Sequence, residues 1–346
     1  FEEAHGHVPD PVEVRTLIHA LPRPRFAYGI QVADDIQGNG DGLVQAGEQV
    51  TLYLTVTNVG EADSFEVQAN IQNKSGSGVL LHDGRFPRDE GIHAGETWVV
   101  PFTFQVLPTF AEEEASLMVA VIDTQLSVVA GQKVVVPIHQ EAGPVQKVQG
   151  KRVVSVASGT EVRAWPDDAA PLVAAVDAPL RLRQTAKSGA YVRVDLGGGR
   201  PGWVASSALS PVEGPITKEP KLAWATHNAA PEIELASLGD FVTREDTIRI
   251  RGKATDQQRV RDLYISTSGR KVYYESNQAS TTPRELSFEA EIPVHPGLNM
   301  IMVVARENSD STARRYFVVR RDDEDGSLME TTQFEGALLA NGNRHY

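Results

Sequence analysis

Cysteine is absent from all 346 residues. Its absence removes disulfides, thiolate metal sites and cysteine nucleophiles together. Long apolar runs are missing too, and nothing approaches the roughly 20 residues that a membrane-spanning helix requires. Positive charge is in deficit: 33 Lys and Arg against 46 Asp and Glu give a net charge of −13. The basic residues are scattered as well, so a phosphate backbone is repelled and nucleic acid is excluded as a partner. Signatures of catalysis are equally scarce. There is no G-x-S-x-G elbow and no H-E-x-x-H, and Gly197-Gly198-Gly199 reads as a hairpin turn because no helix follows to hold a phosphate. His5 and His7 form an isolated H-x-H, while His82 and His93 fall in turn regions. The pair Asp167-Asp168 and the run Glu112 to Glu114 read as solvated charge rather than glycosidase carboxylates, since neither sits in an aromatic pattern.

What is present is most concentrated at residues 34–48, Asp-Asp-Ile-Gln-Gly-Asn-Gly-Asp-Gly-Leu-Val-Gln-Ala-Gly-Glu. Asn39, Asp41, Gly42 and Glu48 have the offsets of a D-x-[DN]-x-[DN]-G-x5-E calcium loop. Gln37 stands where the leading Asp belongs, so Asp34 or Asp35 would have to swing in, and Leu43 would add its backbone carbonyl. Calcium is therefore expected as a structural ion. The alternative is a bare turn before a strand, for which Gly38, Gly40 and Gly42 suffice without metal.

Length alone suggests about two to three domains. A short stripe of Val12, Val14, Leu17, Ile18 and Leu21 after Pro11 reads as a helix, and residues 1–25 as the remnant of an upstream domain. Phe1-Glu2-Glu3 opens acidic, unlike a signal peptide, so the chain reads as a piece of something longer. From 26 to 140 the pattern is all β. Val50 to Thr57 alternates apolar residues with Thr or Tyr, and about seven such runs separated by turn clusters predict a β-sandwich. After a linker at 141–150, residues 151–212 carry strands short enough for a small barrel. A second linker, 213–220, precedes another sandwich at 221–321. In it the run Asn299 to Ala305 is expected to be a central strand covered on both faces. Residues 322–346 begin with an acidic run and are expected to be partly disordered. Trp98, Trp165, Trp203 and Trp224 are isolated aromatics read mainly as core; Trp165, beside Pro166 in a loop, is the one singled out as a ligand anchor.

These segments resemble known modules. Gly38 to Gly42 with Gly47-Glu48, Thr51 to Asn58, Gly60 and Ala94-Gly95-Glu96 look like the immunoglobulin-like modules appended to secreted bacterial proteins. Glu161-Val162-Arg163, Gly189 to Val194 and Gly202-Trp203-Val204 are similar to the bacterial SH3-like repeat, with Trp165, Tyr191 and Trp203 as its candidate binding residues. Pro296 to Asn299 leading into Val303 to Asn308 resembles the close of a second immunoglobulin-like module. Taken with Asp262 to Ile265 and Lys271 to Tyr274, the order of modules resembles the C-terminal region of carboxyl-terminal processing (tail-specific) serine proteases from myxobacteria-like bacteria. That resemblance implies an exported, periplasmic or extracellular accessory region that binds protein or peptide partners. It carries over no catalytic residue. The alternative is a stand-alone surface protein whose SH3-like module docks on peptidoglycan.

Overall fold

The computed structural model describes residues 22–326 except 127, 217–219, 227, 237–240 and 309–310; the side chains of residues 35, 36, 150 and 151 are likewise not described. The expected helix before Pro22 and the tail 327–346 lie outside the described residues.

Among the described residues all the regular elements are strands apart from two short 3-10 turns. The first unit is a sandwich of two five-stranded sheets. One runs in the order Asn228–Ala229, Phe26–Gln37, Gln49–Asn58, Thr97–Val106, Val79–Leu81. The other runs Val44–Gln45, Val128–His139, Glu114–Asp123, Val67–Asn73, Arg85–Arg88. Alternation sets the core: Val50, Leu52, Leu54 and Val56 point inward and pack with Phe102, Phe104, Leu117, Val119 and Val121. Phe86 meets Phe102 edge to face at a centroid distance of 5.2 Å.

The second unit is one sheet of eight short strands around its own apolar cluster. Its order is Leu209–Val212, Gln146–Val156, Leu180–Ser188, Tyr191–Asp195, Pro201–Ala205, Glu161–Arg163, Leu172–Ala175, Ala223–Trp224. Register shifts at Lys147/Arg152, Gln184/Ala186 and Val162/Arg163 bend it. The strand Gln146–Val156 starts inside the stretch expected to be a linker. Gly197 to Gly199 turn the hairpin between Tyr191–Asp195 and Pro201–Ala205, as their spacing predicts.

The third unit packs a three-stranded sheet, Glu232–Leu235, Thr247–Thr255, Glu285–Pro293, against a five-stranded one. The latter is ordered Val242–Thr243, Thr312–Arg321, Gly297–Arg306, Asp262–Thr267, Arg270–Ser276. The strand Gly297–Arg306 is central, but it is not covered on both faces. Asn299, Ile301 and Val303 are buried, whereas Leu298 and Met300 are exposed.

Between the second and third units the chain laces the first two together. Ala223–Trp224 pairs with Leu172–Ala175, and Asn228–Ala229 extends the first sandwich beside Ala27 and Tyr28. A Cβ at Gly29 would stand 2.0 Å from the Ala225 carbonyl oxygen, so this lacing presses directly on the strand. Gly29→Ala is expected to cost about 1–3 kcal/mol through this overpacking, read as a lower midpoint in urea unfolding; an unchanged midpoint would show that the segment does not press there.

Candidate functional site

Residues 34–48 form a loop whose backbone N–H groups converge on carboxylates. Asp34 is fully buried. Its Oδ2 accepts from the N–H of Gly40 (2.8 Å) and Asp41 (3.0 Å), and its Oδ1 from Gly42 (2.9 Å). Asp34 thus reaches the centre of the loop from outside the spacing. The side chain of Asp35, its rival for that position, is among those not described. Asn39 Oδ1 accepts from Asp41 N, and Asp41 Oδ1 from Leu43 N, two Asx turns in succession. Glu48 closes the loop by accepting from Asn39 N (3.1 Å) and Gln45 N (2.8 Å). With its amide nitrogen turned toward Glu48, Gln45 donates to both carboxylate oxygens at 2.9 and 3.1 Å.

Burial sets the electrostatics here. Desolvation pushes the Asp34 carboxyl above its ordinary value, helped by the charge of Asp41 and opposed by the N–H groups of Gly42 and Gly40. Glu48 is also raised, first by desolvation, with the charges of Asp34 and Asp41 adding to it. Calcium takes six to eight oxygens. Among the described residues no three Asp, Glu, His or Cys side chains are gathered as metal ligands. The oxygens are hard donors of the right kind, and in this arrangement they serve the backbone.

The loop also touches the second unit, and the residues singled out there meet it. Gly42 lies against Trp165 and Trp203: a Cβ on it would be 3.0 Å from Trp165 Cβ and 3.1 Å from Trp203 Nε1. Trp203 is buried and Trp165 half-buried. Arg193 Nη1 donates to the Gly40 carbonyl at 2.6 Å, and Gly143 N donates to Asp41 Oδ2 at 2.5 Å. Tyr191 stands apart, half-buried, its hydroxyl donating to Asp168. That bond leads the factors that raise the Tyr191 hydroxyl above its ordinary value.

Beside this contact lies a second one that the sequence pattern does not single out. Arg200, just past the triple glycine, enters the first sandwich. Its Nε donates to Gln31 Oε1 (2.7 Å) and its Nη1 to Thr55 Oγ1 (2.8 Å), while Gln31 Nε2 returns a bond to the Pro201 carbonyl (2.8 Å). The guanidinium stacks 4.2 Å from the Trp224 ring centre and 5.1 Å from that of Tyr53. Desolvation lowers its pKa to about 10. This explains why Thr55, on the polar side of the alternating strand, is buried rather than solvated.

One Ser-x-x-Lys spacing does occur, Ser268 to Lys271, but it has no catalytic geometry. It spans a hairpin turn with Ser268 at φ 48°, and Lys271 Nζ sits 4.3 Å from the Tyr264 ring centre.

No family model matches the chain, and no curated protein matches it. Among solved structures, a FixG-related protein from Vibrio parahaemolyticus is similar at 13% identity and TM-score 0.22, over 32% of this chain and 96% of that one. The fibronectin(III)-like modules of Clostridium thermocellum CbhA are similar at 9% identity and TM-score 0.23, over 88% and 99%. Dimeric latent PorU from Porphyromonas gingivalis is similar at 10% identity and TM-score 0.20, over 86% and 34%. Values this low leave the fold to be argued from the strands themselves.

The raised carboxyls have a measurable consequence. A group whose folded pKa is raised contributes stability that is complete below its unfolded value, here 3.8 for Asp34 and 4.5 for Glu48. That contribution is lost as pH rises through the folded value. In the presence of EDTA, the stability of the native chain minus that of Glu48→Gln should therefore rise as pH falls toward 4.5. A gap independent of pH would mean that Glu48 is not raised.

Proposed function

We propose that this chain is a non-catalytic accessory region of an exported bacterial serine protease of the tail-specific kind, and that it holds protein partners in a fixed position relative to the enzyme. The observation that carries the positioning role is the burial of the Arg200 guanidinium between the first two units. Opening the junction would forfeit the hydrogen bonds to Gln31 and Thr55 and the stacking on Trp224, which only the closed arrangement supplies. The protease context rests on the order of the modules and on Asp262 to Ile265 and Lys271 to Tyr274. Docking on peptidoglycan through the second unit would have to use Tyr191 and Asp168, because Trp165 and Trp203 are engaged with Gly42.

The test is relaxation-derived tumbling. The first two units should share one correlation time in the native chain and separate in Arg200→Ala, and the chain should leave a peptide substrate intact. Independent tumbling in the native chain sinks the positioning role, and hydrolysis of the peptide sinks the accessory one.

Calcium at residues 34–48 belongs to the same proposal. Asp34 and Glu48, crowded with Asp41 and raised, are the groups a divalent cation would relieve. Calcium should raise the melting temperature of the native chain and not that of Asp41→Ala. Superimposable melts of the native chain in calcium and in EDTA would dismiss the ion.

A further inference from the structure

The five-stranded sheet of the third unit turns one face into the core and leaves most of the other open, although Val304 and Ser266 on that outer face are buried. Pairing registers place two rows across that outer face: Arg314, Val304, Tyr264, Tyr274, and next to it Tyr316, Met302, Ser266, Lys271. Val318 beside Met300, and Arg320 beside Leu298 and Val242, continue it. Thirteen large apolar side chains are exposed among the described residues, and six of them lie on this face: Val242, Tyr274, Leu298, Met300, Tyr316 and Val318. Single exposed apolar residues need no explanation, but a contiguous concentration marks a contact surface. Methionine and tyrosine suit such a surface, one adapting its shape and the other combining area with a polar end.

The rim carries one sign of charge. The face's own carboxylate, Asp262, is buried and taken up by Arg306 (2.6 and 2.9 Å) and Arg261 (3.1 Å). Arg320 is taken up by Asp322 at 2.7 Å. Arg314 and Lys271, at opposite corners, have no carboxylate partner among the described residues; Lys271 Nζ rests 4.3 Å from the Tyr264 ring and 5.4 Å from that of Tyr274. In a chain of net charge −13 this face is locally cationic.

We propose that this face binds a polypeptide segment of another protein in which apolar side chains alternate with carboxylates. The apolar residues would cover Met300, Tyr316 and Val318, and the carboxylates would meet Arg314 and Lys271. A second copy of this chain is the poorer occupant, since a two-fold pairing brings the same cations toward each other. A membrane is poorer too, because the apolar groups lie across a sheet face rather than on a projecting helix or loop. The inference deepens the reading of this chain as a binding region but does not need the protease context.

The experiment titrates the full chain with three synthetic peptides: Glu alternating with Leu and Phe, the same with Lys for Glu, and Glu alternating with Ser. Only the first should bind, more weakly at high salt. Met300→Glu, Tyr316→Ser and Arg314→Glu should each weaken it about tenfold, while Phe65→Ser, at an exposed Phe of the first unit, should not. Equal binding of the Lys peptide, or indifference to all three substitutions, overturns the proposal. So does uptake onto anionic vesicles, or dimerisation abolished by Tyr316→Ser, in place of peptide binding. Peptide binding seen only after removal of residues 327–346 would assign the face to this chain's own segment and overturn it as well. Failure here with a closed Arg200 contact leaves the positioning role standing; separate tumbling with intact peptide binding does the reverse.

Discussion

A guanidinium removed from water, with no carboxylate paired to it among the described residues, constrains everything around it. Arg200 loses hydration that its two neutral acceptors and two aromatic faces replace only in part, which is why its pKa falls to about 10. Arginine is the side chain that tolerates this, being planar, weakly hydrated and able to stack. Each of its partners comes from a different piece of chain: Gln31 and Thr55 from neighbouring strands, Trp224 from the lacing segment, and Arg200 itself from a hairpin. Moving any one of them opens the charge to an apolar surround or to partial solvation. The relative placement of the first two units therefore rests on this side chain together with the Arg193–Gly40 bond and the backbone pairings at Ala223–Trp224 and Asn228–Ala229.

The acidic loop contributes to this junction by a different physical route. Its carboxylates are satisfied by N–H groups of its own glycine-rich backbone, so it holds a defined shape, and that shape presents the carbonyl of Gly40 and the open face of Gly42. Gly40 and Gly42 both have positive φ, and side chains there would collide with Arg193 and with Trp165 and Trp203. Glycine serves here both for the turn and for the close approach of another unit. What looked from spacing like an ion site is, in the fold, a docking surface between units. The proposed cation would favour the same single conformation of the loop.

Much of the fold was legible because the strands announce themselves by period. Val50 to Thr57 alternates, the sandwich follows from several such runs, and Gly197 to Gly199 could only turn a hairpin once no helix followed. The defect at Gln37 pointed to Asp34 or Asp35, and in the fold Asp34 accepts from the N–H groups of Gly40, Asp41 and Gly42. Less was legible where structure depends on contacts distant in sequence. Two-residue strands such as Asn228–Ala229 have no period to read. Arg200 after three glycines looks like any turn residue; the one available sign was the row of Thr51, Tyr53 and Thr55, whose outward side suits burial as well as water. Trp165 and Trp203 were legible as aromatics with a role, but burial against Gly42 is decided by a loop more than a hundred residues earlier.

The third unit departs from expectation in a way that carries its own information. Asn299 to Ala305 is apolar at nearly every position, the pattern of a strand with both sides covered. In the structure one side of its first half is open, while Val304, nearer its end, is closed over beside Tyr264. A strand exposed to water on one side has no need of Leu298, Met300 and Met302 there; polar residues would hold the sheet equally well. Apolar character retained without an internal partner costs solubility, and the basic corners at Arg314 and Lys271 fit a surface that is covered part of the time. Since the inner and outer faces of one strand alternate residue by residue, the inner set is accounted for by the core around Ile301 and Val303. The outer set is accounted for only by something outside that core. The continuous apolar run is therefore the superposition of two period-two patterns, one written by folding and one by contact.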